Sequence, residues 1–431
     1  METLATELLQ RLLRFNTVNP PGDERIAQEW LAGVLEGAGF EVALLGATAQ
    51  RPNLVARLRG LTDGPILCLL SHMDTVLATA SEWQRDPWSG EHVDGEVWGR
   101  GAQDMKSQTA CEVAAALTLA RSGWRPARGD LLVVCVVDEE TGGSQGAGWL
   151  CREHPEKVRC DWLLNEGGGS VFSFGASRHY GICIAEKGVF RFTLTTRGRA
   201  GHASMPALAD NALPKLAPLL AALADARPAL DVTDAPVGLL RGLGLEVGED
   251  PAAALAELRT TAPELAAFVD PMLSVTLAPT MIGAGAKINV IPSAAWLKVD
   301  CRVPPGLGER DARRAIAEAL AGLDGYELSF DEEVVGNASP PEGALWDAIA
   351  GFVAREDPDA RVVPTMLPAF TDSRTWRATF PECTAYGFFP QRAMTLHEMW
   401  PLVHGKDERI HTSDLGFAAR AYHDITKELL G

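Results

Sequence analysis

The chain has 431 residues, more than one hydrophobic core usually holds, so two domains or lobes are expected. Apolar residues make up 46 % and charged residues 22 %, which excludes general disorder, and no uninterrupted apolar run reaches the roughly eighteen residues of a membrane-spanning helix. With 39 basic against 57 acidic residues the formal net charge is −18, which argues against non-specific binding to nucleic acid or to an anionic membrane.

The opening METLATELLQRLLRF places Leu4, Leu8, Leu9, Leu12 and Leu13 at helical spacing. It carries early glutamates and no basic start, so it reads as an amphipathic helix and not as a secretory signal. The double proline of NTVNPPGDE breaks the pattern, and a second helix is expected over 24–38. Short apolar runs follow at 40–45, 53–58 and 65–70. The last, PILCLL, lacks polar alternation, as a strand covered on both faces does. A hairpin-like stretch at 92–99 leads through GRGAQD into a nearly all-apolar helix at 105–121. A buried strand (LLVVCVV, 131–137), a helix at 145–154 and a strand at 161–164 come next. Strands alternating with helices give an α/β sheet. The eight cysteines are scattered with no CxxC pair, so neither a disulfide framework nor a zinc knuckle is expected, and a cytoplasmic setting with reduced thiols is the simplest reading.

The character changes near residue 184. EKGVFRFTLTTRG alternates apolar and polar residues, as a strand with one wet face does, and residues 185–196 are a candidate edge strand. A helix over 208–226 would align Leu208, Ala212, Leu216, Leu219, Leu220 and Leu223. After an Ala/Leu-rich insertion at 230–270, strands at 272–282 and 294–303, a helix at 308–322 and a strand at 326–334 complete a β-α-β-β-α-β order, the split βαβ arrangement. The expected fold is therefore α/β: a discontinuous domain, 1–184 and 334–431, with a mixed, largely parallel central sheet flanked by helices, interrupted by a smaller α+β domain at 185–333. The chain re-enters the first domain with a helix at 342–355 and strands at 361–366 and 384–388.

Three buried strands end in similar chemistry. PILCLLS runs into His72 and Asp74, LLVVCVV into Asp138, Glu139 and Glu140, and DWLLN into Glu166. Ligand sites in open α/β sheets lie beyond the carboxyl ends of the strands. Asp104, which opens the helix after GRGAQ, adds a fourth acidic segment. Each piece alone is ordinary: a satisfied histidine, a solvated Glu-Glu loop, an Asp helix cap. Together they crowd one sheet edge with carboxylates that would repel unless protons or cations neutralised them. Histidine with carboxylates suits zinc or another first-row divalent ion, and the number of donors fits two ions better than one.

The series SHMDTV, WGRGAQDMKS, DEETGG, NEGGG, GRAGHAS and LVHGKDERI resembles metallopeptidase family 20, which holds aminoacylases, acetylornithine deacetylases, succinyl-diaminopimelate desuccinylases and glutamate carboxypeptidases. The resemblance runs in order along the whole chain. It implies a zinc-peptidase-like catalytic domain interrupted by a lid or dimerisation domain. It also implies two divalent ions per chain, zinc foremost, with cobalt or manganese as alternatives. His72 and Glu166 would bind one ion, Glu140 and His404 the other, and Asp104 would bridge them. Asp74 would hold the His72 ring from behind, since residues i and i+2 share a face of an extended chain. Glu139 would be the general base toward the attacking water. Of the three neighbouring histidines His397, His404 and His411, only His404 begins the HGKDE stretch that the resemblance picks out. In the lid, His202 would stabilise the oxyanion, often from the partner subunit. Arg302 would grip a substrate carboxylate, Asn289 would help shape the partner's site, and Thr371, Asp372, Ser373 and Arg374 would line the substrate. TDSR and HGKDERI look closer to carboxypeptidase S-like and aminoacylase-like members than to desuccinylases.

The expected function is thus a dinuclear metal-dependent hydrolase cleaving the amide bond of an N-acyl amino acid or short peptide, acting as a cytoplasmic homodimer paired through the lid, with no nucleic-acid or membrane partner. Two other readings stand beside it: hydrolysis of a non-peptide amide or arylamine in the same site, and a non-catalytic scaffold that kept the fold. A complete constellation argues against the scaffold. Neither GRGAQD nor GGSQGAG gives GxGxxG, and no GxSxG elbow occurs, so dinucleotide binding and serine hydrolysis are not expected. Trp83, Trp88 and Trp98, clustered ahead of Asp104, are expected to pack the core.

Overall fold

A computed structural model describes residues 1–231, 233–248 and 251–431, so part of the 230–270 insertion lies outside the described residues. The chain divides into two units, one of Met1–Ile184, Ser339–Thr365 and Thr371–Gly431, the other of Ala185–Ala338 and Met366–Phe370.

In the first unit, helices Glu2–Leu13 and Arg25–Glu36 bury the leucines their spacing predicted, Leu8, Leu9, Leu12 and Leu13 on one and Leu31 and Leu35 on the other. The large sheet runs in the order Glu41–Leu45, Asn53–Arg59, Asp130–Val136, Ile66–His72, Trp162–Asn165, Thr384–Gly387, Ser177–Glu186, Ser170–Phe174 and Gln391–Thr395, with Ala360–Leu367 also pairing Ser177–Glu186. It is mixed. The four strands from Asp130–Val136 to Thr384–Gly387 run parallel, and antiparallel strands flank them. These parallel strands are covered on both faces, which is why their sequences show no polar alternation. One cover is the cluster of Val55, Leu70, Leu132, Val134, Trp376 and Phe380. On the other, helices Lys106–Arg121 and Thr412–Leu430 pack on each other and on Ile66–His72. Each fully buried leucine here contributes about 1.5–3 kcal/mol.

Sequence periodicity did not reveal the hairpin Ser170–Phe174/Ser177–Glu186, the helix Ser373–Thr379 or the C-terminal helix. The tryptophans ahead of Asp104 are only half-buried and do not pack the core. Trp98 instead lies between the guanidinium groups of Arg85 and Arg409, and Trp83 lies against Arg100.

The second unit has the β-α-β-β-α-β order of Phe192–Arg197, Leu216–Ala224, Thr276–Ala284, Ala294–Val303, Glu309–Ala319 and Tyr326–Phe330. Its core joins Phe190, Phe192, Leu194, Leu216, Leu219, Leu297, Val299 and Ile316. The first helix starts at Leu216 rather than 208: Pro206–Leu208 and Leu213–Lys215 each form a single tight turn, and a bridge between Arg199 and Asp210 separates them. The reading of 185–196 as an edge strand is corrected. Phe192–Arg197 lies inside the sheet, hydrogen-bonded on one side to Ala294–Val303 and on the other to Tyr326–Phe330. The split βαβ order places the first strand between the third and the fourth. Among the described residues the strands left at the edges are Thr276–Ala284 and Tyr326–Phe330; on the first, Met281 and Ile282 are more than half exposed.

Candidate metal centre and active site

The parallel strands deliver their terminal residues to one edge of the sheet. His72 is the last residue of its strand, Glu166 follows Trp162–Asn165 directly, and Asp138–Glu140 follow Asp130–Val136. Asp138 sits at φ 72°, in the left-handed region, and turns the chain so that Glu139–Thr141 form a single helical turn. Its carboxylate stabilises that turn, accepting hydrogen bonds from Thr141 Oγ1 at 2.6 Å, Ser144 Oγ at 3.1 Å and the Gln145 N–H at 3.0 Å. Arg51, buried, binds Asp138 at 2.9 Å and the fully buried Glu24 at 2.6 Å. Close approach also fixes the neighbour of Glu166: a Cβ on Gly387 would fall 1.9 Å from the Glu166 carbonyl oxygen.

Of the seven residues expected to hold the ions, orient His72 or act as base, six form one chain of polar contacts. His72 Nε2 lies 3.0 Å from Asp104 Oδ1 and 3.8 Å from Glu166 Oε1. Asp104 Oδ2 lies 3.2 Å from His404 Nε2, which is 3.2 Å from Glu140 Oε2. Asp74 joins the cluster differently from the expectation. The His72 Nδ1 atom lies 3.0 Å from the Asp74 backbone carbonyl and 3.6 Å from its carboxylate. That carboxylate instead accepts the backbone N–H groups of Glu139 and Glu140, both at 3.2 Å, and the Asn19 amide at 2.9 Å. Asp74 therefore ties the His72 strand to the Glu-Glu turn. Glu139, the seventh, has a ligand-capable oxygen within 4.8 Å of those of His72 and Glu166, and His72, Asp104 and Glu140 form a second group of the same tightness.

The electrostatics are those of crowded carboxylates. Burial, followed by the neighbouring carboxylates, raises Glu139 and Glu166 well above the usual range; burial and Asp104 raise Glu140. Hydrogen bonds to Asp104 and Glu140 push His404 up to about 10. Burial opposes a charge on Asp104, but His404 and His72 outweigh it and hold Asp104 below the carboxylate range. Divalent cations fit these residues. The donors are imidazole nitrogens and carboxylate oxygens, a set suited to zinc, cobalt or manganese, and Glu140 Oε1 is buried with no hydrogen-bond donor on it among the described residues.

Sequence reasoning missed the roles of Glu408, Arg51 and Asn19, and named Asp138 only as the start of the acidic run after its strand. Glu408 is fully buried and takes hydrogen bonds from Arg100 and from the loop that carries Asp104. The one available signal was the HxxxE spacing, used only to select His404. The loop Thr371–Arg374 packs against the strand that leads into Glu166. Thr371 Oγ1 and Ser373 Oγ, both buried, lie 3.2 and 3.1 Å from Asn165 Nδ2, so these two side chains hold the residue before Glu166. Asp372 adds its charge to the field that raises Glu139 and Glu166.

The remaining candidates belong to the second unit. His202 is exposed on a two-residue strand, Gly201–His202, paired with Val290–Ile291. Asn289, also exposed, accepts the Ala203 N–H at its carbonyl, 3.1 Å away. The Ser204 N–H donates to His202 Nδ1 at 3.2 Å, and Ser204 Oγ is 2.7 Å from it. A backbone N–H has only a proton to give, so Nδ1 is the acceptor and Nε2 carries the ring proton. Arg302 gives Nε and Nη2 to Asp300 at 2.6 and 3.2 Å and lies 5.4 Å from the Phe370 ring centre. Its Nη1 is buried without a hydrogen-bond acceptor among the described residues.

Residues 68–428 match the family model described as peptidase family M20/M25/M40. A succinyl-diaminopimelate desuccinylase of Xanthobacter autotrophicus is 34 % identical over 226 residues, 49 % of this chain and 55 % of that protein, so the match spans about half the length of such relatives. One from Cereibacter sphaeroides is 26 % identical over 431 residues, 97 % of this chain and 96 % of its own. Among solved structures, the fold is similar to an M20 family metallo-carboxypeptidase of Sulfolobus solfataricus (TM-score 0.75, 16 % identity, 98 % of each chain). It is also similar to human carnosine dipeptidase 1 (TM-score 0.71, 14 % identity, 100 % of this chain and 96 % of that one). The match to the family model over most of the chain establishes that this protein belongs to peptidase family M20/M25/M40.

Proposed function

We propose that the protein is a metal-dependent hydrolase that cleaves the amide bond of an N-acyl amino acid or short peptide. The observation that carries this reading is the meeting of His72, Asp104, Glu140 and of His72, Glu139, Glu166, each group with its ligand-capable atoms within 4.8 Å, at the carboxyl ends of the parallel strands. Two divalent cations, zinc foremost, would be held by His72 with Glu166 and by Glu140 with His404, with Asp104 between them. Once bound there, the ions would polarise the scissile carbonyl and acidify the attacking water.

The chain's own groups do the rest. Glu139 takes the proton from the water and passes it to the leaving amine nitrogen. Nε2–H of His202, contributed by a second copy, donates to the carbonyl oxygen as negative charge grows there, an interaction strongest in the transition state. Arg302 receives the substrate carboxylate on Nη1, because Asp300 already occupies the Nε side of the guanidinium. Pairing of two copies would use the edge strand Thr276–Ala284, with its exposed Met281 and Ile282, and would give a two-fold dimer. The desuccinylase names of the sequence relatives place N-succinyl amino acids first among compounds to try, beside N-acetyl amino acids and dipeptides.

The test is metal content together with hydrolysis. Purified protein is expected to take up two divalent ions per chain and to release free amine from at least one of these substrates, losing that activity to a chelator. Failure to bind any divalent ion would overturn the reading.

A further inference from the structure

Asp104 and His404 lie 300 residues apart in the chain, yet one buried carboxylate braces both of their segments. Glu408 is fully buried. Its Oε2 accepts from Arg100 Nη1 at 2.6 Å and the Gly101 N–H at 2.9 Å. Its Oε1 accepts from the Gln103 N–H at 2.6 Å and the N–H of Asp104 itself at 3.0 Å. Arg100 completes the brace: Nη2 reaches the carbonyl of Gly405 at 2.7 Å and that of His404 at 3.4 Å. The strands on either side are also joined, Trp98 pairing with Arg409, and the Gln103 amide donates to the Arg409 carbonyl at 2.8 Å.

We infer that Glu408 is the positioning residue of the candidate metal centre: through Arg100 and the loop Gly99–Asp104 it sets where Asp104 and His404 stand relative to one another. The inference rests on the metal reading above and deepens it. The chemistry requires a carboxylate. Each oxygen faces two donors, so all four contacts need acceptors. A glutamine of the same shape would turn two amide hydrogens toward N–H groups on one side, and the loop would have to open. An aspartate, one methylene shorter, would not reach the same four donors.

The experiment is cobalt(II) binding to the 431-residue chain, followed by calorimetry and by the visible absorption bands that report coordination geometry. Glu408→Gln is expected to bind cobalt 10–100-fold more weakly than wild type, the usual effect of removing a group that orients a ligand, and to show altered bands. Arg100→Lys, which keeps the charge but lacks the fork, is expected to move both readouts the same way, and it serves if Glu408→Gln does not fold. Asp357→Asn breaks another buried carboxylate contact, to Arg178 and Tyr180, and is expected to lower thermal stability while leaving cobalt affinity intact. Wild-type affinity and bands in both folded Glu408 and Arg100 variants would overturn the inference, as would an Asp357→Asn loss of equal size. A wild-type protein that takes no cobalt would overturn the metal reading and this inference together.

Discussion

Replacing Arg51 by methionine tests how the Glu-Glu turn is supported. In the folded chain Arg51 Nη2 and Nε meet Glu24 at 2.6 and 2.9 Å, and Nη1 meets Asp138 at 2.9 Å. Glu24 is fully buried and Arg51 is 7 % exposed, so water screens little of this interaction. Methionine fills similar space but strands the Glu24 charge, and breaking a buried pair from one side costs about 3–5 kcal/mol. The pH dependence follows. Burial already raises Glu24 above the carboxylate range, with Arg51 acting against that rise; without Arg51 it rises further. A raised carboxyl favours the folded state below its unfolded pKa and loses that contribution as pH increases through its folded value. The deficit should therefore be larger at neutral pH than at a mildly acidic pH, where protonation of Glu24 removes the stranded charge. Urea unfolding at both pH values measures it. Adding Glu24→Gln to the methionine variant should recover part of the loss, because the stranded charge is gone. A deficit below about 1 kcal/mol, one that is equal at both pH values, or no recovery in the double variant would refute this account.

Four further outcomes are expected. Glu139→Gln should keep both metal ions, measured by elemental analysis, yet lose at least ~10²-fold in turnover, whereas Glu140→Gln should lose metal; the reverse pattern would mean that the adjacent roles are exchanged. His202→Ala should cost ~10²–10³-fold in turnover at normal metal content, and mixing it with Glu139→Gln under conditions of subunit exchange should restore part of the activity; no recovery would place His202 within its own chain's reaction or outside it. Asp300→Asn should raise KM for a carboxylate substrate with kcat unchanged and leave the corresponding carboxamide unaffected, since it frees the Arg302 guanidinium from its set orientation; equal effects on both substrates would sink the idea. Met281→Glu should shift the protein toward monomer in light scattering, and a dimer that persists would exclude the Thr276–Ala284 edge as the interface.

Much of the first unit was legible in the sequence because its parallel strands are covered on both faces and read as plain apolar runs, each ending in a polar group. PILCLLS-His72 and LLVVCVV-Asp138 show both features in a few residues. The helix Thr412–Leu430 was passed over because its buried side is broad, including Gly416, Ala418, Ala419 and Ala421, and small residues give a weak periodic signal. Candidate ligands were visible as residue types at strand ends. The residues that hold them were not, because Asn19, Arg51 and Glu408 act through hydrogen bonds to segments remote in sequence. Asp74 shows the same limit: its spacing to His72 was right for a shared face, but which of its oxygens meets the imidazole depends on the Glu139 and Glu140 amides that compete for the carboxylate. Strand order in the second unit likewise depended on how the hairpin folded back, which alternation along 185–196 does not encode.

The point where the chain leaves the first unit and the point where it comes back are held together: the Ser339 N–H donates to the Ile184 carbonyl at 2.8 Å. Such an adjacent pair of ends makes the intervening 154 residues of Ala185–Ala338 removable in principle. A linker of a few glycines and serines would close the gap at an entropic cost that grows only with the logarithm of its length. The shortened chain would retain His72, Asp104, Glu139, Glu140, Glu166 and His404 while lacking His202 and Arg302. It would separate ion capture from substrate turnover in one molecule, with two joins to remake: the strand Ser177–Glu186 ends two residues inside the removed segment, and Met366–Phe370 also belongs to the second unit.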